Sequence, residues 1–263
     1  MTLYKTKFFI KNVELRESEL SGFQTNSDLG IQIADSDGII DGLKNDNNID
    51  HVIDHDGFLA RIIDGNRSSQ EIRDSKSLTV RNSLLVGRDY NWGDGIRFFG
   101  DGTNQVVIEN NIFTGSPETP LPTRETFNQP LTRTPYGIHV TKGSFIIRGN
   151  TISGYPTAIH LGSGLSDGTI TKATLSNNIV NNNGVGILTY SGGVGAIYDA
   201  GGGTFGSAGN NIFFNNIVYD LYHQNNATIY ARYNDWHTDD PEELNERIYD
   251  RNDNPLSGDV ILE

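Results

Sequence analysis

Short apolar stretches recur along the chain, and each one ends at an asparagine that is followed by further apolar residues. The pattern occurs at Leu78-Thr-Val-Arg-Asn82-Ser-Leu-Leu, Val107-Ile-Glu-Asn110-Asn-Ile-Phe, Ile146-Ile-Arg-Gly-Asn150-Thr-Ile, Ala173-Thr-Leu-Ser-Asn177-Asn-Ile-Val and Ile212-Phe-Phe-Asn215-Asn-Ile-Val, with a degenerate copy around Asn234. Successive asparagines are 19 to 40 residues apart. Constant strands separated by segments of variable length are typical of stacked repeats that carry loops of different size.

A second recurring element lies between the asparagine units and alternates apolar and polar residues after a Gly-Ile or Ala-Ile pair. It occurs as Asp94-Gly-Ile-Arg-Phe-Phe, Tyr136-Gly-Ile-His-Val-Thr, Thr157-Ala-Ile-His-Leu-Gly and Val185-Gly-Ile-Leu-Thr. Each repeat therefore holds at least two strands. No helical periodicity of useful length interrupts them, which excludes βαβ folds. A sandwich of hairpins gives no reason for one asparagine at one strand position, whereas in a parallel coil stacked asparagines satisfy one another and the buried backbone.

The repeats predict an all-β, single-domain, right-handed parallel β-helix of about eight to ten rungs over residues 1–263. Residues 1–29 are expected to form an N-terminal cap, 30–237 the rungs with an insertion at 114–135, and 238–263 a C-terminal cap. Pro241 follows two acidic residues, which predicts a short helix in that cap. One set of asparagines is expected at equivalent turn positions of successive rungs: Asn82, Asn110, Asn150, Asn177 and Asn215.

Composition excludes several classes of function. The chain has 263 residues, a net charge of −13 and no cysteine. The absence of thiols excludes disulfide scaffolds and thiolate chemistry, and the negative charge argues against nucleic acid as a partner. No apolar run is long enough to span a membrane. The first ten residues lack the apolar core of a signal peptide, and the composition favours an extracellular or cell-surface location. The oligomeric state is left open.

The closing segment carries a family resemblance. The stretch Ile197-Tyr-Asp-Ala-Gly-Gly-Gly-Thr-Phe-Gly-Ser-Ala-Gly-Asn-Asn211-Ile-Phe and the tail from Tyr233-Asn-Asp-Trp236 onwards resemble the last rungs of right-handed β-helix proteins that bind or hydrolyse carbohydrate, the pectin-lyase-like superfamily. The resemblance covers about the last 190 residues. It implies the architecture strongly and the activity weakly, because that group includes lyases, hydrolases, epimerases and surface proteins.

The repeat register converts the second element into a surface. If the isoleucine of each Gly-Ile unit points inward, the next residue points outward. This reasoning places one column of residues outward, with Tyr136 and Lys142 beside it: Arg97, His139, His160, Leu188 and Tyr222. Arg97 or Lys142 could neutralise a uronate carboxylate, and His139, His160 or Tyr136 could transfer protons. His139 is the preferred base, because an ordinary imidazole titrates near neutral pH. The alternative is that these are ordinary solvated residues on a parallel sheet.

The distribution of charge and the length of one loop favour the same region as the binding surface. The segment from Arg97 to Lys172 contains six basic and five acidic residues. The rest of the chain therefore carries the negative charge and would repel an anionic polymer. The proline-rich insertion at 114–135 is expected either to form a wall of the binding surface or to be a surface excursion without a role in binding. The expected substrate-binding residues are Arg124, Arg133, Lys172 and Tyr190.

The sequence indicates a metal site less clearly than it indicates the column of polar residues. Asp35, Asp37 and Asp41 present oxygen atoms as calcium loops do, but no complete loop follows and Asx-turns explain them equally well. Ca²⁺ is thus the one cofactor that the sequence suggests. The signature motifs of pectate lyases, polygalacturonases and alginate epimerases are incomplete or absent.

Two functions remain open at this point. The first is a polysaccharide-active β-helix that binds an extended, acidic polysaccharide and cleaves or epimerises it as a lyase, hydrolase or C5-epimerase. The second is a non-catalytic surface, adhesive or phage-type module. A convergent, partly buried cluster of titratable side chains would favour the first, and scattered, hydrated residues would favour the second.

Overall fold

Each short strand of the sequence pairs in parallel with the equivalent strand of the next repeat, and three sheets result. The computed structural model describes residues 2–4, 7–15, 29–34, 36–45, 51–56, 77–87, 94–100, 105–127, 135–162, 171–189 and 196–263. Strands are numbered in chain order. Three successive strands, one in each sheet, make one rung of the coil.

The three sheets share one direction of stacking. Sheet 1 contains β1 (Thr2–Tyr4), β4 (Leu29–Ala34), β7 (His51–Asp56), β10 (Ile96–Phe99), β13 (Tyr136–Thr141), β16 (Thr157–Gly162), β19 (Val185–Thr189), β22 (Tyr219–His223) and β24 (Ile248–Tyr249). Sheet 2 contains β2 (Lys7–Lys11), β5 (Asp37–Asp41), β8 (Ser77–Arg81), β11 (Gln105–Glu109), β14 (Gly143–Arg148), β17 (Thr171–Ser176), β20 (Ala196–Gly201), β23 (Ile229–Ala231) and β25 (Val260–Ile261). Sheet 3 contains β3 (Glu14–Leu15), β6 (Lys44–Asn45), β9 (Leu84–Val86), β12 (Ile112–Thr114), β15 (Thr151–Ser153), β18 (Ile179–Asn181) and β21 (Ile212–Phe214).

This arrangement confirms the predicted all-β parallel β-helix. Among the described residues, two of the sheets contain nine strands each, which agrees with the expected number of rungs. The β1, β2 and β3 strands already pair with the next rung, so the coil extends into the stretch that was expected to form the N-terminal cap. The fold has three strands per rung where the sequence indicated at least two.

One hydrophobic core runs inside the coil. The inward residues of successive rungs stack on each other, as Ile96, Ile138 and Ile159 do in sheet 1, and none of these side chains is exposed to solvent. Neighbouring sheets contribute to the same cluster, and Phe98 packs edge-on against Phe145 with ring centroids 5.3 Å apart. Because every rung repeats this packing, the outward residues are also held in columns one rung apart.

The turn between sheets 2 and 3 contains a buried ladder of polar side chains. Its members are the buried residues Ser83, Asn111, Asn150, Asn178 and Asn211, and the half-buried Asn234 at its end. Each ladder asparagine accepts a hydrogen bond from a backbone N–H of the preceding rung, and four of them, from Asn111 to Asn211, also donate their amide to the asparagine of the next rung. The side chain of Asn150, for example, donates to Ile108 O and to Asn178 Oδ1, at 2.9 and 3.0 Å. The ladder therefore satisfies backbone groups that would otherwise be buried without partners.

The prediction that five asparagines occupy equivalent positions was wrong in its register. Asn82, Asn110 and Asn177 precede the ladder and take a left-handed backbone conformation with φ of 53° to 56°. Asn150 belongs to the ladder itself, and the equivalent left-handed position before it is Gly149, with φ of 64°. Asn215 lies in a different turn, after sheet 3. Two consecutive residues of the repeat thus have different roles: the first bends the backbone and the second supplies the buried amide. The sequence pattern did not distinguish these two positions.

Replacing Asn150 with leucine should lower the free energy of unfolding by about 1–3 kcal/mol, because buried donors and acceptors on both neighbouring rungs lose their partners. Urea unfolding followed by circular dichroism measures the loss. The control is Asn110→Gly, at an exposed left-handed position where glycine has the required conformational freedom. Equal losses in the two variants would contradict a stabilising role for the buried ladder.

A short helix and two final strands close the C-terminal end. Helix α1 (Pro241–Arg247) begins after Asp240, whose side chain accepts a hydrogen bond from Glu242 N at 2.9 Å. This confirms the predicted cap helix, with proline at its start. Trp236 stacks on Phe213 at 4.6 Å and covers the end of the core. Within the described ranges, no helix is long and apolar enough to cross a membrane.

Candidate functional site

The strand register of sheet 1 brings the predicted column of polar residues together. Arg97 pairs with His139, and His139 with His160, on three successive strands. The residues on either side of each, such as Ile138 and Val140 around His139, are buried in the core. The column therefore lies on the outer face of the coil. It continues through Leu188, Tyr222 and Tyr249 towards the C-terminal end.

A local departure from strand alternation places Tyr136 beside the histidines. Ile138 is fully buried, and a Cβ atom added at Gly137 would lie 2.7 Å from the core side chain of Ile152. Two consecutive residues thus face inward, so Tyr136 and His139 both face outward. Gly137 permits this, because a larger side chain would collide with the core and with Ala158 O.

Five side chains converge at this point, and we call them the imidazole cluster: Asp94, Arg97, Tyr136, His139 and His160. The ring of Tyr136 stacks on His160 with centroids 4.7 Å apart and lies 4.8 Å from the ring of His139. The two imidazoles are 4.6 Å apart. The cluster therefore offers two imidazoles, a phenol, a guanidinium and a carboxylate on three successive rungs.

Burial keeps both imidazoles uncharged at neutral pH. It lowers the pKa of His139 to about 3, and the positive charge of Arg97 contributes in the same direction. Burial and the neighbouring His139 hold the pKa of His160 well below its usual range. Both ring nitrogens of His160 are buried and have no hydrogen-bond partner within the described residues. The reason given above for choosing His139 as base, an ordinary pKa near neutrality, does not apply in this environment.

The carboxylate of Asp94 contacts two other members of the cluster, Tyr136 and His139. The carboxylate is buried, accepts a hydrogen bond from Tyr136 N at 2.8 Å and lies 3.9 Å from His139 Nδ1. The sequence marked Asp94 only as the start of a Gly-Ile unit. Its role became visible when the coil brought β10 and β13 side by side.

The other predicted site residues lie in different places. Lys142 is buried at the corner after β13, in a left-handed conformation with φ of 57°, and its backbone N–H donates to Thr171 Oγ1. Lys172 is exposed on sheet 2, so it does not share a face with the imidazole cluster. Arg124 contacts the cap helix, where Nη2 donates to Glu246 O at 2.8 Å. Arg133 and Tyr190 lie outside the described residues.

The calcium candidates have other partners. Asp37 Oδ1 accepts a hydrogen bond from Ser77 N at 2.6 Å, and Asp41 accepts from Arg81 and Asn82. Those two partners, Asn82 first, lower the pKa of Asp41. Asp35 lies outside the described residues. In the part of the chain that the structure describes, no three histidine or acidic side chains could hold a metal ion together.

Sequence reasoning predicted Tyr222, but missed the other members of an aromatic surface at the C-terminal end of the same face. Tyr219, Tyr222 and Tyr249 contact one another there, with ring centroids 4.4 to 5.7 Å apart. Phe127 of the insertion packs on two of them. Tyr222 follows from the register of the column, whereas Tyr249 gave no signal, because its strand, β24, comes after the cap helix.

Comparison with known proteins gives a family and no activity. The model of the family described as "Protein of unknown function (DUF1565)" matches residues 93–243, which is more than half of the chain. That family is associated with parallel β-helices, in agreement with the three sheets. No curated protein and no solved structure matches the chain. The matched span contains every residue of the imidazole cluster and ends within the cap helix, and on this match the chain belongs to the DUF1565 family.

Proposed function

We propose that this protein binds an extended, acidic polysaccharide on the outer face of sheet 1, with the imidazole cluster as the contact for a uronate residue. The observation that carries the proposal is the convergence of Arg97, Tyr136 and the two histidines on three successive rungs. Adjacent rungs are about 5 Å apart, close to the span of one sugar, so side chains of two rungs can contact one residue of the polymer. The resemblance to pectin-lyase-like proteins points to the same substrate class.

The charges of the cluster suit an anionic ligand. Arg97 supplies a permanent positive charge, and guanidinium groups bind carboxylates with two parallel hydrogen bonds. The neutral imidazole of His139 can donate one hydrogen bond, and its side chain keeps 14% of its surface exposed. A carboxylate bound next to it would also raise the pKa of His139, because a nearby negative charge favours the imidazolium form.

Turnover is the second part of the proposal. Proton abstraction next to a uronate carboxylate is the shared step of lyases and C5-epimerases, and Arg97 would stabilise the charge that develops on that carboxylate. One observation favours the non-catalytic module instead: an imidazole whose pKa is about 3 is a weak base at neutral pH. Binding is therefore proposed first, and turnover depends on the pKa change that the bound carboxylate causes.

Replacing Arg97 with alanine should weaken binding of pectate, alginate or glycosaminoglycan oligosaccharides about ten- to a hundredfold, the usual worth of a charge-assisted hydrogen-bond pair. Isothermal titration calorimetry measures the affinity. The matched control is Lys172→Ala, which removes an exposed cation from sheet 2 and should leave the affinity unchanged. Equal losses in both variants would show that overall charge, and not the cluster, governs binding.

Assays with the same polysaccharides distinguish an enzyme from a non-catalytic binding module. Unsaturated-product absorbance detects elimination, new reducing ends detect hydrolysis, and NMR detects C5 inversion. If the protein is catalytic, His139→Gln should abolish turnover and retain much of the binding. Binding without turnover by the unaltered protein would assign it to the non-catalytic class, and absence of binding to all three polymers would refute the proposal.

A further inference from the structure

One outward residue of sheet 1 is buried where the column predicts exposure. Leu188 follows His160 in the column, and the next rung places Tyr222 after it. Its neighbour Ile187 packs into the central core, whereas Leu188 belongs to a second, separate hydrophobic cluster with Val185 and Val218. Only 5% of Leu188 is exposed. Side chains outside the central core therefore cover it.

The covering segment comes from the insertion, and we call residues 120–127 the strap. Phe127 packs against the second cluster, with its ring centroid 4.9 Å from Tyr222 and 6.1 Å from Tyr219. Further back, Pro122 lies so close to Gly184 that a Cβ atom added there would be 2.4 Å from the proline ring. The strap therefore reaches from the rung of β12 to the rungs of β19 and β22.

The strap is fastened to the cap helix as well as to the sheet. Arg124 donates to Glu246 O at 2.8 Å, lies 3.7 Å from the Glu246 carboxylate and places its guanidinium 5.7 Å from the centroid of the Tyr219 ring. The strap has its own turn, in which Phe127 N donates to Thr123 O at 2.8 Å. Two prolines restrict its backbone. A stiff segment held at three points is expected to stay in place rather than move aside for a ligand.

The geometry points to the strap as the element that ends the ligand path. The outer face presents the imidazole cluster on β10, β13 and β16, and the strap covers the following rung at Leu188. We infer that a polysaccharide bound at the cluster cannot continue towards the C-terminal rungs, so the site accepts the end of a chain and not its interior. This inference rests on the function proposed above, and it names the part of the polymer that the site selects.

Oligouronates of increasing length test the inference. In the unaltered protein, affinity should stop rising once the oligosaccharide fills the cluster. In Phe127→Ala and in Arg124→Ala, which loosen the strap, affinity should continue to rise several-fold with longer oligosaccharides. Glu118→Ala changes an exposed residue of the insertion outside the strap and is the control. Identical length dependence in all four proteins would overturn the inference.

A measurement without ligand separates this inference from the proposed function. Tyrosine nitration mapped by mass spectrometry should show a several-fold faster reaction of Tyr222 in Phe127→Ala than in Glu118→Ala, because the strap shields that ring. Unchanged nitration would show that the strap does not close the face, whatever the protein binds. If nitration rises but no oligouronate binds to any variant, the strap covers the face as described, while the chain-end selection falls together with the proposed function. Circular dichroism verifies that the coil is intact, since Phe127 lies outside the central core.

Discussion

Replacing Arg247 with alanine should lower the free energy of unfolding by about 3–5 kcal/mol, the usual cost of leaving a buried charge without its partner. Arg247 Nε lies 2.7 Å from Asp220 Oδ2, and Asp220 has no exposed surface. The same guanidinium donates to Trp236 O at 2.9 Å, next to the ring that covers the core. Its loss therefore uncouples the cap helix from the last rungs. Denaturant unfolding followed by circular dichroism measures the change.

An exposed ion pair of the same type is the control. Arg251 lies 3.4 Å from Asp259, and about half of each side chain is exposed. Arg251→Ala should cost no more than about 1 kcal/mol, because solvent screens such pairs.

Burial raises the pKa of Asp220 in spite of the opposing effects of Asn216 and Arg247, so the pair does not fully offset its desolvation. The double variant Asp220→Leu/Arg247→Met should thus recover most of the loss, and equal costs for Arg247→Ala and Arg251→Ala would contradict the argument.

Lowering the pH from 7 to 5 should destabilise the protein, with about 2 kcal/mol from His139 alone. Burial lowers the pKa of His139 to about 3, whereas in the unfolded chain it is near 6.5. The unfolded state therefore binds a proton between these values and the folded state does not. Stability is complete above pH 6.5 and is lost as the pH falls towards 3. Burial also lowers the pKa of His160 and His223, and both act in the same direction.

His139→Gln isolates this contribution. The variant should be less sensitive to acid by the same 2 kcal/mol or so between pH 7 and pH 5, measured by urea unfolding at both values. Its stability relative to the unaltered protein at pH 8 corrects for lost packing, since the imidazole is neutral there in both states. The raised pKa of Asp220 acts in the opposite direction, because a carboxyl that binds its proton more readily when folded gains stability in acid. Equal losses of stability between pH 7 and pH 5 in the unaltered protein and in His139→Gln would show that His139 is hydrated and binds its proton alike in the folded and unfolded states.

The outer column could be predicted from sequence because its cause is local and repeated. In every Gly-Ile unit the isoleucine must be buried, and strand geometry then directs the following residue outward. Arg97, His139 and His160 follow from that rule alone, as does the proline-led helix at Pro241. Tyr136 was placed beside the column, but its contact with both rings depends on the two inward residues after it, which strand alternation does not predict.

What the chain determined by itself is the repeat: which residues enter the core, that the rungs stack in parallel and which side chains form a column. Hydrophobic periodicity carries that information, because it reflects each residue's own partition between water and the core. The tertiary structure alone decided the neutral state of His139, the approach of Asp94 to that ring and the strap over Leu188. It also separated the role of the left-handed residue from that of the buried amide that follows it, as at Gly149 and Asn150. These depend on contacts between residues from 28 to 122 positions apart, such as Asn150 with Asn178 and Arg124 with Glu246, and such contacts exist only after the coil has stacked its rungs.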